Sequence, residues 1–226
     1  MVPVSGHPSG LALDQRAGRL YVACPRSDEV LAIDVASAEV VEQVRLFPGD
    51  GPRELALTPD GRTLLSVNTG SNSVTVLDAQ PLTRLERIDV GSGPHSVAVE
   101  PTGRRAFVFD TLAGSISGID IARRSLAATL SVDASPSRGQ FSARGDRLFV
   151  IHARSPYAPV VAPRQLPILP RARPRSAASA IRVDSRRGLL YLAGPTSPTV
   201  AAYATNPPLP AASLKAPAGA AHLTSD

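Results

Sequence analysis

Apolar and polar residues alternate along the chain in short stretches, each closed by a turn containing Gly or Pro. Period-two alternation predicts half-buried strands rather than helices. The stretches recur in a fixed order. Leu11-Ala12-Leu13, Leu55-Ala56-Leu57 and Val97-Ala98-Val99 each follow a Pro, at 8, 52 and 94, and Pro136 continues the series. The spacing is 44 and then 42 residues. Turns follow at Pro59-Asp60-Gly61, Pro101-Thr102-Gly103 and Ala143-Arg144-Gly145, where Gly supplies the positive φ of a tight turn; Gly18 and Gly188 close the matching turns. Second strands are predicted from Tyr21, Leu65, Phe107, Phe149 and Tyr191. Third strands end on Asp34, Asp78 and Asp120, which recur at one position and read as turn formers. More polar fourth strands follow at 40–46, 84–90 and 125–132.

Four strands in every 42-residue period are the signature of a propeller blade. The expected architecture is an all-β, single β-propeller domain over 1–226. Its four-stranded blades lie at about 6–46, 49–90, 91–132, 133–174 and 177–216, and 217–226 begins a sixth. The fourth blade is irregular. Its last strand falls on 167–174, where three prolines, each lacking a ladder donor, argue against a paired strand. Ala162 replaces the third-strand Asp, yet Ile181 and Val183 keep the spacing. Residues 157–178 therefore read either as a Pro-rich outer loop or as a compensated reading-frame anomaly.

The motifs Gly91-Ser92-Gly93-Pro94-His95, Pro59-Asp60-Gly61, Leu65-Ser66-Val67-Asn68 and Asn72-Ser73-Val74-Thr75-Val76-Leu77-Asp78 resemble the blade of the YVTN-type β-propeller repeat family. Nearly the whole chain shares this resemblance. It implies a ring of seven blades, of which about five are present, so an incomplete propeller is expected, with apolar blade faces left open to self-association; a compact five-bladed ring is the alternative. It also implies a bacterial periplasmic or extracellular protein, although no signal peptide precedes the first blade here. The fold is related to that of propeller lactonases and, more loosely, to WD40-like repeats.

Composition narrows the partners. The net charge is +5, but seven arginines and no acid lie between Arg147 and Arg182, so the basicity is one segment rather than a whole surface. With 4% aromatics and no Trp, stacking platforms for single-stranded nucleic acid are lacking, and a nucleic-acid partner is not expected. No apolar run is long enough for a membrane span. Cys24 has no second Cys to pair with and reads as a half-buried strand-end thiol.

Propeller geometry gathers the loops before each first strand and after each second strand on the channel face. The candidate ligand-binding set is therefore His7, Arg53, His95 and Ser137 from the first loop type, with Asn68, Asp110 and His152 from the second. His95 also reads as a loop-bonding residue, and Asn68 and Asp110 as turn stabilisers. His152 breaks its column. Two His and an Asp could ligate a metal, but no local spacing supports one. A Gly-x-Ser-x-Gly elbow, a His-Glu-x-x-His helix and a phosphate loop are all missing, so neither a catalytic residue, a cofactor nor a metal is expected. The reading is a non-catalytic binding or interaction module for a protein or small molecule. The alternative is a lactonase-type hydrolase, with His95 or His152 as base and Arg53 as oxyanion stabiliser.

Overall fold

Every 42-residue period folds into one antiparallel sheet whose strands pair in chain order, because hairpin turns leave each strand beside the next. The computed structural model describes residues 2–4, 6–132, 135–152, 158–162, 168–172, 178–194, 199–205 and 210–215. Among them every regular element is a strand. The first blade comprises β1 (Leu11–Asp14), β2 (Arg19–Cys24), β3 (Glu29–Asp34) and β4 (Glu39–Arg45). The second comprises β5 (Pro52–Leu57), β6 (Thr63–Asn68), β7 (Ser73–Ala79) and β8 (Leu82–Asp89). The third comprises β9 (Pro94–Val99), β10 (Arg105–Asp110), β11 (Ser115–Asp120) and β12 (Ser125–Ser131). The fourth comprises β13 (Pro136–Phe141), β14 (Leu148–His152), β15 (Ala158–Val161) and β16 (Ile168–Ala172). The fifth comprises β17 (Ala180–Asp184), β18 (Leu189–Ala193), β19 (Thr199–Ala204) and β20 (Pro210–Lys215). The expected start of a sixth blade, 217–226, lies outside the described residues.

Contacts group the chain into two compact units, residues 1–129 and 130–226. In the first unit, strand alternation sends neighbouring side chains into different seams. Leu64, Leu77 and Ala79 meet Tyr21, Ala23, Val30 and Ala32 of the first blade. Leu65, Val67, Val74 and Val76 meet Ala106, Val108 and Ile119 of the third. Truncating a leucine in such a seam costs about 2–5 kcal/mol. Tyr21 reaches across the first seam and donates its hydroxyl to the Ala79 carbonyl at 3.0 Å. In the second unit Phe149, Ile151 and Val160 pack on Ile181, Leu190, Leu192 and Tyr203.

Two expectations are corrected. The proline-rich stretch does form a fourth strand: β16 pairs with β15 through Val161↔Ile168, Val160↔Leu169 and Ala158↔Ala172. A register shift in this pair falls around Pro170, and β16 is the edge of its sheet, where a missing N–H leaves no neighbour unpaired. Residues 157, 163–167 and 173–177 of the suspected anomaly lie outside the described residues. Cys24 is fully buried rather than half-buried, because β2 turns it onto Val22, Leu31 and Ile33. Burial raises its thiol pKa and keeps it protonated and unreactive.

The repeated Asp residues act as turn formers. Asp34 Oδ1 accepts the N–H groups of Ala36 and Ser37, at 3.0 and 2.9 Å, and Asp78 Oδ1 accepts that of Gln80 at 3.0 Å. Asp120 Oδ1 accepts the Arg123 N–H at 2.9 Å. Such bonds to the ionised form hold Asp34 and Asp120 below the usual carboxylate range.

Candidate functional site

The seven candidates divide into two columns with different local structures. Asn68, Asp110 and His152 end the second strands of their blades, paired opposite Pro52, Pro94 and Pro136. All three are buried, Asn68 and Asp110 completely and His152 to 2% exposure. Asn68 Nδ2 donates to Ser73 Oγ at 3.0 Å and Thr75 Oγ1 at 2.8 Å, while its Oδ1 accepts from Ser66 Oγ at 3.0 Å. Asp110 Oδ2 accepts from Ser115 Oγ at 3.1 Å and Ser117 Oγ at 2.7 Å. These side chains tie β6 to β7 and β10 to β11, as a buried polar group must if it is to recover its lost hydration.

Arg53, His95 and Ser137 have a common backbone feature that the sequence does not announce. The ladder between β5 and β6 runs Pro52↔Asn68 and then Glu54↔Val67, leaving Arg53 unpaired. His95 is skipped in the same way between Pro94↔Asp110 and Ser96↔Phe109, and Ser137 between Pro136↔His152 and Arg138↔Ile151. Each is the extra residue of a β-bulge, a device that re-aims a side chain away from the sheet. Arg53 is exposed, and His95 and Ser137 are half-buried.

The same bulge occurs in the first and fifth blades at residues outside the candidate set. Ser9 N–H donates to Ala23 O while Ala23 N–H donates to Gly10 O, so two residues face one. Ser179 N–H bonds Ala23's counterpart, Ala193, and Ala180 pairs with Ala193 as well. The spacing of 9, 53, 95, 137 and 179 was the available signal, but the serines at 9 and 179 carried no chemistry to draw notice. His7 lies before this column. It is exposed, sits at φ 56 and places Nε2 3.5 Å from Arg26 Nη1.

In the first unit the bulges are cross-linked by polar side chains. Ser9 Oγ donates to Arg53 O at 2.8 Å, and Ser96 Oγ donates to Glu54 Oε1 at 3.2 Å. Ser9 just before β1, Arg53 on β5 and His95 on β9 thus lie at one end of three consecutive blades. In the second unit Ser137 Oγ donates to Ile151 O at 3.2 Å.

The opposite end of the first seam carries an open cleft of about 690 Å³. Asp14, Arg16, Thr58, Asp60, Arg62 and Gln80 line it. Its carboxylates are already engaged with their own turns. Asp14 Oδ1 accepts from the Arg16 and Ala17 N–H groups at 3.0 and 3.1 Å, and Asp60 Oδ1 from Thr58 Oγ1 at 2.6 Å and Arg62 N–H at 3.1 Å. The Thr58 bond leads the causes that lower the pKa of Asp60. A smaller cleft of about 280 Å³ repeats the position between the fourth and fifth blades. Among the described residues no group of three or more His, Cys, Asp or Glu side chains is placed to hold a metal ion.

Four-stranded antiparallel meanders repeated around shared apolar seams define a β-propeller. The chain belongs to the YNCE-like beta-propeller family, whose pattern matches residues 1–160. Solved structures agree on the fold. Hydrazine synthase from Kuenenia stuttgartiensis superposes with a TM-score of 0.76 at 19% identity, over 91% of this chain and 65% of that one. Virginiamycin B lyase from Staphylococcus aureus does so with a TM-score of 0.78 at 11% identity, over 93% and 70%. The chain thus spans about two-thirds of these propeller-containing chains. No curated protein sequence matches it.

Proposed function

We propose that this chain is a non-catalytic binding module whose ligand or partner is held at the bulge-bearing end of the blades, on the channel face. The observation that carries the reading is the bulge column. In the first unit it turns Arg53 and His95 out of two adjacent inner strands, with the Glu54 and Ser96 side chains bonded between them. A guanidinium beside an imidazole favours an anionic or carbonyl-bearing ligand, because Arg offers a fork of donors with no competing acceptor. Asn68, Asp110 and His152 enter this reading as the buried support behind the column rather than as groups that touch the ligand.

The test is a thermal-shift screen of small carboxylates, phosphates and sugar lactones against the wild type, Arg53→Ala and His95→Ala. A ligand that raises the wild-type midpoint but neither variant's supports the reading. Ligands that shift all three proteins equally would place binding elsewhere. The lactonase alternative would draw on the same Arg53 and His95, since His152 is closed off from solvent. Its test is hydrolysis of the same lactones, and the binding reading expects no turnover above background.

A further inference from the structure

The polar ties of the second and third blades occupy equivalent places 42 residues apart, yet one is an amide and the other a carboxyl group. Asn68 is fully satisfied: its amide nitrogen donates to two hydroxyls and its oxygen accepts a third. In the next blade Asp110 replaces Asn68, Ser115 and Ser117 replace Ser73 and Thr75, and Val108 replaces Ser66, the donor to the Asn68 oxygen. Asp110 Oδ1 is therefore buried and meets no donor from the protein. Gly91 closes the site above it, for a Cβ there would fall 2.6 Å from Oδ2. A carboxylate with one oxygen bare in such a place would lack most of its hydration. A protonated carboxyl leaves only a neutral carbonyl oxygen bare, which costs far less than a bare charge, and its O–H becomes the donor that the amide nitrogen is in Asn68.

From this geometry we propose that Asp110 is held as a neutral acid in the folded chain, forming a proton-dependent latch between β10 and β11 directly behind the His95 bulge. The proton stays on Oδ2, whose O–H donates to the Ser117 oxygen 2.7 Å away, while the Ser117 hydroxyl hydrogen rotates out of that line. Burial is the leading influence on the group and raises its pKa. Bonds from Ser117, Ser115 and the Gly91 N–H oppose it only in part. His95 on β9 and Asp89 at the end of β8 are the titratable side chains at its end of the blade, Arg105 and Asp120 pair at the far end of β10 and β11, and none of these contributes to the shift.

A carboxyl whose pKa is higher folded than unfolded stabilises the fold while protonated. That contribution is complete below the unfolded value near 3.8 and is lost as pH rises through the folded value. Asp110→Asn keeps the neutral shape at every pH. Urea midpoints of the wild type and this variant, compared from about pH 4 to about pH 8, should coincide at the acid end and separate in the variant's favour above the window. Parallel curves, or a variant less stable at the alkaline end, would overturn the latch. Should the variant fail to fold, carboxyl ¹³C resonances of the wild type decide. Asp110 must keep its protonated shift where Asp34 and Asp60 have ionised, and titration together with them would contradict it. Neither experiment involves a ligand, so the outcome is independent of the proposed binding site.

Discussion

Asp28 stands at φ 54, a left-handed conformation that Asp tolerates better than most residues. From there its carboxylate accepts the Gly49 N–H at 2.8 Å and the Gly51 N–H at 2.7 Å, pinning the loop that leads into the second blade. Asp28→Ala removes two charge-assisted bonds and leaves at positive φ a residue that tolerates it less well. The expected cost is about 2–3 kcal/mol, read as a lower urea midpoint, and an unchanged midpoint would refute the pinning role. Asn72 repeats the device one blade later, at φ 53, accepting the Gly93 N–H at 2.9 Å. At this scale the sequence was readable where chemistry and position agreed, as at Asp34, Asp78 and Asp120. It was silent where two columns of polar residues looked alike. Only the ladder register separates Asn68, paired opposite Pro52 and tied to β7, from Arg53, the extra residue of a bulge.

Strand order and turn positions were legible because a 42-residue period repeats each apolar alternation, and a strand's two faces follow from parity alone. The bulges were not, since an extra residue in a ladder leaves no compositional trace when it is an Arg, a His or a Ser. The strand in the proline-rich stretch was missed for the converse reason: proline signals a break, but at a sheet edge the absent N–H faces no partner. The inner strands also approach closely at Gly10, where a Cβ would meet the Arg53 carbonyl oxygen at 2.4 Å and Glu54 Cα at 2.7 Å. Both obstacles are backbone, so they cannot swing aside. Gly10→Ala should therefore force the first two blades apart and cost about 1–3 kcal/mol, seen as a lower thermal midpoint. Gly18→Ala offers the contrast, for the space around it is open and only its φ of 64 resists the change.

For the molecule as a whole, the seams set the terms of association. Leu11 and Leu13 of β1 are 61% and 51% exposed, whereas Leu55, the equivalent of Leu11 in the second blade, is 5% exposed against the first blade. Val22, Leu31 and Ile33 on the same side of the blade are covered, so Leu11 and Leu13 are the apolar pair that a second copy of the chain would bury. Light scattering should show the molar mass rising with concentration for the wild type and staying monomeric for the Leu11→Asp, Leu13→Asp double variant. A monomeric wild type at every concentration would remove this expectation. Among the described residues no helix is long and apolar enough to cross a membrane.

Binding at the bulge column and binding at the cleft at the other end of the blades move different amides. Amide resonances of the ¹⁵N-labelled chain, followed while small anions and lactones are added, tell the two apart whatever the natural ligand is. A ligand held at the bulge column shifts Arg53, Glu54, His95 and Ser96 most. Shifts centred on Asp14 to Ala17 and Asp60 to Arg62, with the bulge column unmoved, would contradict the proposed site.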